Sequence, residues 1–175
     1  YFVEARYRGA ELLLISPDVN PSHSHVDFHI PVRHGTDAAL ALAMCQTILS
    51  ENLADLGFVR TQTDLALLVR TDTGEFLRQS HLDANGRDDR FYHGHPANGV
   101  IPADPASLLL DFDPMLDGSL DVEPAGGGRI AVEPLFARLR RLLDSEYTPE
   151  SAAQICGAHP ETIRTIARKI AGGRT

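Results

Sequence analysis

Apolar and polar positions alternate between two periods along the chain. Glu11-Leu12-Leu13-Leu14-Ile15-Ser16 sets four consecutive apolar residues between turn formers, which predicts a strand buried on both faces. Ahead of it, Tyr1 to Gly9 reads as the tail of a helix closed by glycine. Behind it, Ser16-Pro17-Asp18-Val19-Asn20-Pro21-Ser22 is a run of turn residues. A second short strand is predicted over Asp27 to Val32, with Pro31 near its end. Arg33-His34-Gly35 then turns the chain into a helix, with Thr36 as N-cap and Asp37 in the first turn. That helix continues to Leu49 and is apolar on nearly every face, which predicts that it is sandwiched.

Asn52 to Phe58 suggests a short helix or turn. Asp64 to Arg70 and Glu75 to Arg78, joined at Asp72-Thr73-Gly74, suggest a hairpin. From Ser80 to about Pro134, Gly, Pro, Asp and His dominate, and clusters such as Leu108-Leu109-Leu110 are brief. The expectation there is irregular structure with one hairpin, Ser119 to Glu123 paired with Arg129 to Glu133. The end of the chain returns to a helical period. Leu135, Leu139, Leu142 and Leu143 share one side, Thr148-Pro149 and His159-Pro160 start two further helices, and Gly157 separates them. The fold class predicted is α/β: a Rossmann-like parallel sheet with flanking helices over 1–79, an irregular and hairpin segment over 80–133, and helices over 134–175 that pack on the same domain.

Composition narrows the function. With 175 residues, 43% apolar and 23% charged, the chain is long enough for a sizeable core and too apolar to be disordered. Its net charge of −8 argues against a nucleic-acid partner, and no run is long enough to insert in a membrane. Two cysteines, Cys45 and Cys156, make neither a disulfide framework nor a four-thiolate site, and each is expected to be a small buried hydrophobe in its helix. Only Lys169 among 16 basic residues is lysine, a bias that suits a GC-rich prokaryotic genome.

Three constellations could carry chemistry. The first is the pair of loops after the two early strands, where ligands bind in open parallel sheets. Ser16, Pro17 and Asp18 lie in one loop. In the other, Gly35 allows close backbone approach, the helix start offers free N–H groups, and Asp37 could accept two N–H bonds from a guanine edge. An ordinary capped helix is the bland alternative. The second is His23-Ser24-His25-Val26-Asp27-Phe28-His29, near to a zinc-hydrolase motif but with one residue too many before His29, and joined by His93 and His95 as further possible ligands. Solvent-facing loop histidines are the simpler reading. The third is a helix-turn-helix over 148–171, where Thr148 to Thr175 carries a net of only +2 against −10 for the remainder. Two small helices packing on a larger core are the preferred reading. A Cys45 nucleophile is disfavoured by its apolar helix.

Taken together, three blocks of sequence resemble a known family. They are Phe2-Val3-Glu4-Ala5-Arg6-Tyr7-Arg8-Gly9, then Ile15-Ser16-Pro17-Asp18-Val19-Asn20-Pro21-Ser22, then Ile30-Pro31-Val32-Arg33-His34-Gly35-Thr36-Asp37-Ala38-Ala39-Leu40-Ala41-Leu42-Ala43-Met44. They are similar to the molybdopterin oxidoreductases of the dimethyl sulfoxide reductase family, in particular the subgroup of nitrate, selenate and chlorate reductases and ethylbenzene dehydrogenase. Thr61 to Asp64, Leu67 to Arg70, Tyr147 to Glu150 and Ile163 to Ala167 extend the resemblance, and His34 departs from it. The resemblance implies an internal piece of a longer catalytic subunit, whose 1–79 part binds the guanosine end of one molybdopterin guanine dinucleotide of a bis(molybdopterin guanine dinucleotide) molybdenum cofactor. Ser16, Pro17 and Asp18 would line the nucleotide, and Gly35, Thr36 and Asp37 would grip guanine. The molybdenum ligand and an iron–sulfur cluster would lie elsewhere in the parent, so the piece alone is expected to be inactive. It implies as partners the rest of that subunit and an iron–sulfur electron-transfer subunit, in a prokaryotic cytoplasm or periplasm.

Overall fold

A computed structural model describes residues 1–104, 106 and 110–173. Leu108 and Leu109 of the leucine cluster, and Arg174 of the basic tail, lie outside the described residues. The chain divides into two compact units, one made of Tyr1–Leu53 with Leu142–Thr175 and the other of Ala54–Arg141.

The first unit opens with α1 (Phe2–Tyr7), and Gly9 takes the positive φ of 91° that lets the chain leave the helix. Strands β1 (Leu13–Ile15) and β2 (Phe28–Ile30) pair in parallel, with Leu14 opposite His29. Helix α2 (Asp37–Ser50) follows, and α6 (Pro149–Cys156) and α7 (Pro160–Gly172) pack against it. Ile30, Val32, Leu40, Ala43, Ala152, Cys156, Ile163 and Ile166 form the core, with Leu13 and Met44 against it. Ile30, Leu40 and Ile163 are fully buried. Truncating any one of them to alanine costs about 2–5 kcal/mol through lost transfer energy and the cavity left behind. The turn between the last two helices is set by Gly157, left-handed at φ 82°. Thr148 and His159 cap the two starts, accepting from the N–H groups of Ser151 and Glu161.

The second unit contains α3 (Leu56–Gln62), β3 (Leu68–Arg70), α4 (Gln79–Leu82), β4 (Tyr92–His95), β5 (Gly99–Pro102), β6 (Leu120–Val122) and β7 (Ile130–Pro134). Helix α5 (Leu135–Glu146) begins in this unit and ends in the first. Strand β7 is central in the antiparallel order β3-β7-β6, and β4 pairs with β5 as a separate hairpin. Leu68, Leu77, Tyr92, Val122 and Val132 make this unit's core.

The α/β class expected from the sequence is observed, including the parallel pair, the 119–133 hairpin and the three C-terminal helices. Particular expectations are corrected. β1 is not buried on both faces: Leu13 packs on the core, but the sheet has two strands among the described residues and Ile15 stays 43% exposed. α2 is covered on one side by α6 and α7, so Ala39, Leu40, Ala43 and Thr47 are buried while Ala38, Ala41 and Cys45 are exposed. The early turn-or-helix forms later, at Leu56, because the Asp55 side chain accepts from the Phe58 N–H and starts the helix there. The stretch expected to be irregular contains the β4–β5 hairpin, and His93 is buried in it rather than free on a loop.

Candidate functional site

The parallel pairing of β1 and β2 brings their C-terminal ends together and starts both candidate loops side by side. The Ser16 N–H donates to the Ile30 carbonyl at 3.3 Å, carrying the ladder one step beyond the strands. In the first loop the Ser16 hydroxyl donates to the Asp18 carbonyl at 2.7 Å, a tight local turn. In the second, Gly35 adopts φ 75°, and a Cβ placed there would meet nothing within 4 Å. That conformation selects glycine, and the space above it is open. The loops approach each other where the Asp18 carboxylate lies 4.0 Å from His34 Nε2.

The second loop is fixed to the helices behind it. Arg33 Nη1 donates to the carbonyls of Gln154 at 2.6 Å and Ile155 at 3.1 Å, and the Arg33 N–H donates to the Cys156 carbonyl at 2.9 Å. These are end carbonyls of α6, which lack partners within the helix and carry the negative end of its dipole. Thr36 occupies the N-cap position of α2 but does not cap with its side chain. Its hydroxyl donates to the Arg33 carbonyl at 2.6 Å, closing the turn instead. Asp37 stands exposed in the first turn of α2, and its carboxylate accepts no hydrogen bond from a described residue. All six candidate residues therefore lie on two adjoining loops: Ser16 and Thr36 are half-buried, and Pro17, Asp18, Gly35 and Asp37 are exposed. Arg33, which anchors this arrangement, was not marked by any motif. Its position four residues before the helix, opposite a helix end far along the chain, leaves no local signal.

The other constellations fare differently. The rings of His23 and His29 meet edge to face at 4.7 Å, yet among the described residues no group of three His, Cys, Asp or Glu side chains is placed to hold a metal. On α7, Arg164 pairs with Glu150 and Glu161, Arg168 with Glu51, and Lys169 with Glu11 while lying over the Phe28 ring. Hydrogen bonds from Arg168 and Arg164 hold the carboxyls of Glu51 and Glu150 below their usual range. The basic side chains that a DNA-reading helix would present are thus tied to carboxylates of the same unit. Cys45 is partly desolvated, which pushes its thiol up and makes it a poor nucleophile. A cavity of about 340 Å³ lies within the second unit, lined among others by Arg60, Asp64, Phe91 and His93. None of the six candidate residues lines it.

Dimethylsulfide dehydrogenase subunit alpha of Rhodovulum sulfidophilum is 35% identical over 96% of this chain. Chlorate reductase subunit alpha of Ideonella dechloratans is 36% identical over 98%, and respiratory nitrate reductase subunit alpha of Haloferax mediterranei is 37% identical over 98%. The chain is a homologue of molybdopterin oxidoreductase catalytic subunits. It spans 19% of the length of each of these three relatives. No protein-family model matches it. The aligned region takes in residues of both compact units. The homologues are prokaryotic oxidoreductases, and no described helix of this chain is long and apolar enough to cross a membrane.

Proposed function

We propose that this chain is the guanosine-binding segment of a molybdenum oxidoreductase catalytic subunit. In this reading Ser16, Pro17 and Asp18 line the nucleotide of a molybdopterin guanine dinucleotide. Gly35 and Thr36 form the floor under the base, and the Asp37 carboxylate accepts the ring N–H and exocyclic amine of guanine. The observation that carries it is the parallel β1–β2 pair with both loops at one end, because ligands of open α/β sheets bind beyond the carboxyl ends of neighbouring strands.

The residues fit the group. The space next to Gly35 is open to a ligand, the carboxylate of Asp37 is not taken by a described residue, and the first N–H groups of α2 favour negative or polar ligand atoms. The bound cofactor would supply two-electron redox chemistry at molybdenum. This chain's part is to bind and orient. Fixing the distal end of a long ligand restricts where its reactive end can sit. Substrate turnover, the iron–sulfur cluster and an iron–sulfur partner subunit belong to the rest of the parent in this proposal, and the segment alone is inactive.

The test is Asp37→Ala in the intact catalytic subunit, with molybdenum and released guanine nucleotide measured per chain. Both should fall severalfold while far-UV circular dichroism stays unchanged. Full cofactor content in this variant would overturn the assignment.

A further inference from the structure

His29 entered as part of a histidine cluster, and its hydrogen bonds give it a different place. Its Nε2 lies 3.1 Å from the Ser16 carbonyl oxygen and 3.1 Å from the Ser16 hydroxyl oxygen. A carbonyl can only accept, so Nε2 carries the proton. The Ser16 hydroxyl has one hydrogen and donates it to the Asp18 carbonyl at 2.7 Å. Its oxygen is therefore free to accept, and the single Nε2–H spans both Ser16 oxygens. The result is a directed chain, from the imidazole of β2 to the hydroxyl of Ser16 to the backbone of Asp18.

The ring that starts this chain is itself held. His29 is half-buried opposite Leu14 in the strand register. His23 stands edge-on against it at 82°. His23 is delivered by the 3₁₀ turn Pro21–His25, which Asn20 caps by accepting from the Ser22 N–H at 2.9 Å. The loop leaving β1 thus folds back so that its own far part braces the histidine that fixes its near part.

We propose that His29 is a positioning residue: as the Nε2–H tautomer it latches the Ser16–Asp18 loop into the conformation that meets the nucleotide. The proposal rests on the guanosine reading above, and it adds a residue to that site which touches no ligand itself. It also accounts for the histidine pair without a metal, since Nε2 of His29 is spent on Ser16.

The test uses the intact catalytic subunit with three variants, His29→Leu, His29→Gln and Asp37→Ala. Two quantities are read: deuterium uptake of the peptide spanning Ser16 to Asp18, and guanine nucleotide released per chain. His29→Leu should speed exchange in that peptide about fivefold, the weight of one ordinary hydrogen bond holding the loop, and should lower nucleotide content. His29→Gln places an amide N–H within reach of the same acceptors and should restore more than half of both losses. Equal impairment in the Leu and Gln variants would mean that the ring only fills space and would overturn the latch. Wild-type uptake and content in His29→Leu would overturn it too. Faster exchange with full nucleotide content in His29→Leu, where Asp37→Ala loses nucleotide, rejects the latch and leaves the guanosine reading standing. Full content in Asp37→Ala removes the guanosine reading and the latch together.

Discussion

Replacing Arg33 with methionine removes the guanidinium that joins the second site loop to the end of α6 and keeps most of the apolar stem. Two hydrogen bonds to the Gln154 and Ile155 carbonyls are lost, while the backbone bond from Arg33 to Cys156 remains. Bonds from a charged donor contribute about 1.5–3 kcal/mol when desolvated. Arg33 is exposed, so water replaces much of that in the variant. Interaction with the helix end adds about 0.3–1 kcal/mol at a surface site. The expected destabilisation is about 1–2 kcal/mol. Arg33→Lys should recover about half, because a point charge keeps the dipole interaction and loses the planar fork. Urea unfolding is the assay, read as a lowered midpoint at constant slope. A methionine variant within about 0.3 kcal/mol of wild type would show that the guanidinium is a passive surface group and that the loop is held by its backbone alone.

Two further predictions concern the second unit. Burial holds the His93 imidazole below its ordinary value of 6.5, and its Nδ1–H donates to the Ala66 carbonyl at 3.3 Å. The folded form therefore stays neutral where the unfolded chain takes up a proton, so stability is full above the unfolded value and declines as pH falls through about 6.5. The urea midpoint of wild type should drop between pH 7.5 and 5.5 by more than that of His93→Gln, and parallel curves would contradict the burial argument. Glu133 is 8% exposed in its side chain on the central strand β7 and receives two contacts from Arg141 Nη2, at 2.6 and 2.7 Å. Arg141→Met leaves that carboxylate unpaired and should cost about 1–2 kcal/mol, discounted because Arg141 itself is 63% exposed. In the Glu133→Gln background the same change should cost less than half as much, as a double-mutant cycle will measure.

Much of the first unit could be read from residue order. Apolar runs between Pro, Asn and Gly clusters marked β1 and β2, and the Gly35-Thr36-Asp37 turn marked the start of α2. Their parallel pairing followed from reading Leu12 to Ile15 as a strand buried on both faces; the pairing is observed, the two-sided burial is not. What sequence could not show is which faces are covered. The run Leu12 to Ile15 looks the same whether one side or both are packed, and α2 shows no polar face to mark its exposed side. In the second unit the β4–β5 hairpin carries no alternating pattern, because Gly94 and two histidines interrupt it. The available signal was Asn98-Gly99, a strong hairpin dipeptide, and Gly99 does take φ 74°. At the site, turn chemistry marks the two loops, while the nucleotide roles of their residues come from the family resemblance alone. The groups that hold those loops, Arg33 and His29, act through partners 121 and 13 positions away, and such pairings are created by the fold.

The most direct measurement is an experimental structure of the cofactor-loaded subunit at a resolution that places the guanine ring. That ring should lie beyond Ile15 and Ile30, with its N–H edge on the Asp37 carboxylate and Ser16 to Asp18 along the nucleotide. A guanosine density elsewhere, with the Asp37 carboxylate facing solvent or another protein segment, would contradict it.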